Sequence, residues 1–147
     1  MAQKQLFPVF DLPEIPDTEE LEERYSPSAY FDFEKGDFVR DGAGKIKKSE
    51  GKDAYIQWCL KVVSTERYSC LAYSSDIGVE LDQVVEADRA AAESIIERTI
   101  TEALMMHRAT EYVRDFSFLY KADAVYVTFT VKGYPWEEEQ LKTKITQ

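Results

Sequence analysis

The stretch Val62-Val63-Ser64-Thr65-Glu66-Arg67-Tyr68-Ser69-Cys70-Leu71-Ala72-Tyr73-Ser74-Ser75-Asp76-Ile77-Gly78-Val79-Glu80-Leu81 follows one segment of helical periodicity and precedes another. It reads as a helix end, a short strand, a glycine turn and the approach to a second helix. Gly78 permits a positive-φ turn or a close backbone contact. With strand-like text outside both helices, the chain reads as α+β.

Upstream of the block, Asp53 is a plausible N-cap, and Tyr55, Trp58, Cys59, Val62 and Val63 recur at i, i+3, i+4, i+7 and i+8. The spacing predicts a core-facing helix over about residues 53–64, its apolar face widened by Ile56 and Leu60. Downstream, Ala92, Ile96, Ile100, Ala103, Leu104 and His107 form one stripe of a helix over about 86–107, roughly 33 Å long. Glu86 and Asp88 near its start and His107 and Arg108 near its end suit the helix dipole, so His107 reads as a structural cap.

Farther out, residues 29–48 alternate apolar and polar around Gly36, Gly42 and Gly44, as short strands joined by glycine turns do. Lys45, Lys47, Lys48 and Lys52 read as a solvated strand edge, where lysines discourage stray pairing. At the other end, Tyr112–Tyr120 and the alternating Val125, Val127, Phe129 and Val131 read as an antiparallel hairpin turning at Lys121–Asp123. The pattern stops after Gly133 and Pro135. The expected architecture is therefore a small mixed sheet with a C-terminal hairpin packed on two helices. The domain covers 29–133, followed by a tail over 134–147.

Residues 1–28 form an extended arm with four prolines, and its seven acids face two bases. Prolines and like charges keep such a segment from compacting. Phe7, Phe10, Leu12 and Ile15 are more apolar than a solvating tail requires, and suit docking along a partner's groove.

A formal charge of −10 argues against nucleic acid and anionic membranes as partners. No uncharged run approaches the ~20 apolar residues that span a bilayer, and the N-terminus lacks a signal-peptide pattern. The expectation is a protein made in the cytosol, in which Cys59 and Cys70 are reduced, partly buried thiols. The lone His107 cannot complete a usual zinc set, and no phosphate-cradling loop or nucleophile elbow occurs, so neither metal nor cofactor is expected. Glu66, Asp76 and Glu80 are the carboxylates that a two-acid glycosidase would use. With 28 acids in the chain such a set has little specificity, and a Glu66–Arg67 ion pair at a helix end is the preferred reading.

The order Thr65-Glu66-Arg67-Tyr68, then Tyr73-Ser74, then Gly78-Val79-Glu80-Leu81 resembles the core of the phage baseplate wedge, tail-lysozyme-like or contractile-system sheath-initiator family. The resemblance extends to Tyr30-Phe31-Asp32-Phe33-Glu34-Lys35-Gly36, to Asp53-Ala54 with Gln57, and in layout to the closing hairpin. It covers about residues 29–131. The family's Glu-Pro-Arg signature is missing from His107-Arg108-Ala109-Thr110-Glu111. The resemblance implies a non-enzymatic component of a phage tail or tail-derived bacteriocin, assembled in the bacterial cytoplasm and then held in the baseplate. Its implied partners are sheath protein, wedge proteins and the tail tube or tube initiator, with a ring of copies around the tube. Sheath arms would add strands at an open edge near Val125, Val127, Phe129 and Val131. The block Thr65, Glu66, Arg67, Tyr68, Tyr73, Gly78, Glu80 and Leu81 would serve as a structural joint. A peptidoglycan-cutting tail lysozyme and a generic acidic adapter are the alternatives.

Overall fold

Helix α1 (Gly51–Val63) buries Ala54, Tyr55, Gln57, Cys59, Val62 and Val63, so Tyr55, Cys59, Val62 and Val63 of the predicted stripe are buried and Trp58 is half-buried. It starts two residues earlier than expected, with Glu50 as N-cap, so Asp53 sits in the first turn, where a carboxylate still suits the dipole. A computed structural model describes residues 27–146. The arm and its residues Phe7, Phe10, Leu12 and Ile15 lie outside the described residues. Helix α2 (Arg89–Met105) begins later than expected, because the Asp88 carboxylate accepts the Ala91 N–H at 2.8 Å and caps it there. Its buried face is Ala92, Ile96, Thr99, Ile100, Ala103 and Leu104.

Among the described residues, four two-residue strands precede α1: β1 (Ser28–Ala29) pairs with β4 (Lys48–Ser49), and β2 (Phe31–Asp32) with β3 (Asp37–Phe38). Lys45, Lys47 and Lys48 are exposed, as a solvated edge requires, while Lys52 pairs with Glu139 at 2.9 Å.

The C-terminal sheet corrects two expectations. It contains β5 (Thr110–Lys121), β6 (Ala124–Gly133) and a third strand, β7 (Glu139–Thr146), in the order β5-β6-β7 with both pairings antiparallel. Residues 139–146 are therefore a strand, not a tail. They pair without interruption from Val131↔Glu139 to Ala124↔Thr146. The alternation of β7 is hard to read because one inward position is Thr143 and the inward Leu141 and Ile145 are interleaved with Lys142 and Lys144. Nor are Val125, Val127, Phe129 and Val131 at an open edge. They lie on the central strand, hydrogen-bonded on both sides, and all four are at most 1% exposed. The expected edge role fails there because a strand paired on both sides has no free backbone groups.

The inward faces of β6 and β7 and the stripes of both helices form one hydrophobic core. At one end of it Tyr55 hydrogen-bonds through its hydroxyl to Thr110 Oγ1 at 2.8 Å and packs its ring on Gly133, where a β-carbon would meet Tyr55 Cε1 at 2.5 Å. Trp136, in the expected tail, stacks on the same ring with centroids 5.3 Å apart.

Candidate functional site

The closed loop 65–81 between the helices and the outer side of β7 lie side by side beyond the core. The loop begins where α1 ends, with the Thr65 hydroxyl donating to the Lys61 carbonyl at 2.7 Å. It is clasped by two backbone bonds across its neck, Val79 N–H to the Thr65 carbonyl at 2.9 Å and Arg67 N–H to the Val79 carbonyl at 3.0 Å. These form an isolated parallel bridge between Glu66 and Val79. Gly78 takes φ +111 inside the clasp, as a glycine can and a side chain cannot without strain.

Arg67 reinforces the neck through Nε to the Gly78 carbonyl at 3.2 Å and through its NH1 nitrogen to Glu80 Oε1 at 3.0 Å. The ion pair of this loop is thus Arg67 with Glu80, not Glu66 with Arg67. Neighbours in sequence on an extended segment point apart, whereas the clasp brings residue 80 back beside residue 67. The Glu80 N–H donates to Thr99 Oγ1 on α2 at 2.9 Å, and Leu81 leads into a 3-10 turn over Asp82–Val84. The loop therefore connects the end of α1 to the middle of α2. Within the loop, Tyr68, at φ +67, is 69% exposed, and Leu71 is fully exposed. Tyr73 lies under the Lys61 ammonium, which is 4.5 Å above its ring. Glu66, Asp76 and Glu80 are all exposed, and Glu80 is engaged by Arg67. A general acid needs a carboxylate kept partly from water, which these positions do not provide.

His107 lies beyond α2. Its Nδ1 accepts the Ala109 N–H at 3.1 Å, and its ring packs 4.7 Å from Trp58 and 5.5 Å from Tyr55. Burial, with Arg108 adding to it, holds its pKa below 6.5, so the neutral ring acts here, not a charged helix cap. Cys59 is buried, with its thiol pushed up to about 12 by loss of water, whereas Cys70 is exposed. That corrects the expectation that both thiols are partly buried. Among the described residues, no group of three or more His, Cys, Asp and Glu could hold a metal ion.

Beside β7, no strand among the described residues pairs with its outer side. Two depressions flank it, of about 310 and 420 Å³, and both are lined by Ser64 and Lys144. The first lies against Thr65, Glu66 and Val79, the clasp of the loop, and the second against Leu60 and Phe33. The free edge and the clasp thus share a groove. Lys142 and Lys144, on the exposed face of β7, were not singled out in the sequence, since only the pairing of residues 139–146 gives them a common edge. The other edge strand, β5, is irregular: its register shifts between Thr110 and Tyr112 and between Arg114 and Ser117, and Asp115 takes φ +58.

No helix among the described residues is long and apolar enough to cross a membrane. The family model described as contractile injection system sheath initiator matches residues 28–134. The phage-like element PBSX protein XkdS of Bacillus subtilis (strain 168) is 34% identical over 85 residues, covering 56% of this chain. The chain spans 60% of the length of that relative.

Proposed function

Because the chain belongs to the contractile injection system sheath initiator family, and so is a structural component of a contractile, phage-type tail, we propose that it starts the sheath by accepting an added strand along the outer edge of β7. One observation carries this reading: β7 is a regular, eight-residue edge to whose outer side no strand among the described residues pairs, and a groove runs beside it. Backbone groups of an edge strand are a template for another chain, which gains main-chain hydrogen bonds along its length. The bulged β5 is the poorer template, because bulges twist an edge away and interrupt its ladder.

Lys142 and Lys144 sharpen the choice of partner. Edge lysines oppose indiscriminate pairing and favour a segment with acids at the facing positions, so a sheath arm with that pattern is selected. The 65–81 clasp contributes one wall of the groove and fixes it relative to both helices. The ring of copies, the contacts with wedge proteins and the tail tube, and residence in the baseplate complete this reading. In it the protein acts by geometry and performs no chemistry.

The test uses two proline substitutions. Successive N–H groups of a strand point to opposite edges, so of Lys142→Pro and Thr143→Pro one removes a donor from the free edge and the other breaks the β6 ladder. Amide exchange identifies which variant keeps the β6–β7 ladder. In a producing strain lacking the wild-type protein, that folded variant should yield baseplates and bare tubes in electron micrographs. Normal sheathed particles from it would exclude β7 as the acceptor.

A further inference from the structure

We propose that the aromatic pocket beside β1 is the seat of the chain's own N-terminal arm, with apolar residues between Phe7 and Ile15 folding back into it. The pocket encloses about 510 Å³ and is walled by Phe31, Phe33, Phe38, Trp58, Tyr73 and Lys61. It is independent of the β7 groove, sharing only Phe33 with that groove's second depression. Its rim is formed by Pro27, Ser28 and Ala29, the residues through which the arm joins the domain.

Three properties select this occupant. The arm is tethered at the mouth: Ile15 precedes Pro27 by 12 residues and Phe7 by 20, and at up to ~3.3 Å per residue either can turn back to the pocket. A tether this short gives an effective concentration of about a millimolar, so even a weak seat is filled. The arm also supplies matching chemistry, since Phe7, Phe10, Leu12 and Ile15 are apolar and are interspersed with Pro8 and Pro13. Finally, the charges are opposite. Residues 1–28 hold seven acids and two bases, whereas the one charged side chain among the residues lining the pocket is a lysine, Lys61. Lys61 is itself a wall residue, placed over Tyr73.

The native thiols provide the probe. Cys70 is exposed, and its carbonyl accepts the N–H of the pocket residue Tyr73 at 3.2 Å, while Cys59 is buried. A nitroxide attached to Cys70 of the full-length, 15N-labelled chain should reduce the amide peak intensities of residues 7–15 at least twofold relative to the reduced label. Phe38→Glu, which places a like charge at a 41% exposed position of the wall, and Phe10→Ser should each restore most of that intensity without unfolding the domain. Unchanged arm intensities beside broadened domain amides would overturn the proposal, and so would persistence of the effect in Phe38→Glu. Broadening that appears only when nitroxide and 15N label are on different chains would assign the pocket to a second copy and overturn the intramolecular seat.

Discussion

Gly78 lies against the backbone of Arg67 so closely that a β-carbon on it would stand 2.8 Å from Arg67 N and 2.9 Å from Arg67 Cα. Both atoms belong to the chain whose N–H closes the clasp, so neither can move without loosening the Val79 bond. At φ +111 an alanine is strained as well as crowded. Gly78→Ala should therefore destabilise the protein by about 2–3 kcal/mol, the scale of a backbone forced into a sparsely populated region. Urea unfolding checks this. An unchanged midpoint would mean that the clasp adds nothing to global stability.

Arg67 and Glu80 divide their contact unequally. The Arg67 side chain is 16% exposed and that of Glu80 is 53% exposed, and only Arg67 also bonds the Gly78 carbonyl. A double-mutant cycle on Arg67→Met and Glu80→Gln should give a coupling of no more than about 1 kcal/mol, because a pair open to water is screened. The single Arg67 change should cost more than the single Glu80 change, since it also leaves a carbonyl without its donor.

The helices were legible because Tyr55, Cys59 and Val62, and Ile96, Ile100 and Leu104, repeat at helical spacing and are buried as that spacing demands. The 65–81 block was legible as a connector with a glycine turn. Its clasp was not, since a bridge between Glu66 and Val79 joins positions whose pairing leaves no periodic trace. The sheet was half legible. Val125 to Val131 alternate cleanly, but alternation reports which face is buried and is silent on whether a strand is central or at an edge. Only β7 settles that, and its Lys142, Thr143 and Lys144 hide a strand in the text of a polar tail. The sheet edge on that side therefore lies one strand later than the alternation suggests.

His107 should make stability depend on pH. Its folded pKa is held below the ordinary 6.5 by burial and by Arg108, so the unfolded chain binds the proton more readily. Stability from this group is complete above pH 6.5 and is lost as pH falls through that value toward the lower folded pKa. Urea midpoints measured from pH 7.5 to 5.5 should decline for the wild type. In His107→Phe, which keeps an aromatic ring between Tyr55 and Trp58, the decline over this range should be smaller. Equal slopes in the two proteins would assign the dependence to other groups.

The thiols should differ in reactivity by orders of magnitude. The attacking species is the thiolate, and burial that pushes the Cys59 thiol up to about 12 leaves almost none of it at pH 8, quite apart from blocking access. Cys70 is exposed, so a reagent reaches it directly. An aromatic disulfide reagent should therefore modify one thiol per native chain rapidly and the second slowly, as the core opens. Cys70→Ser should abolish the fast phase and leave the slow one. Because the slow phase then requires opening of the α1 core around Cys59, its rate should rise in Gly78→Ala if the clasp holds the end of α1. An unchanged rate in that variant would separate the clasp from the stability of the helix core.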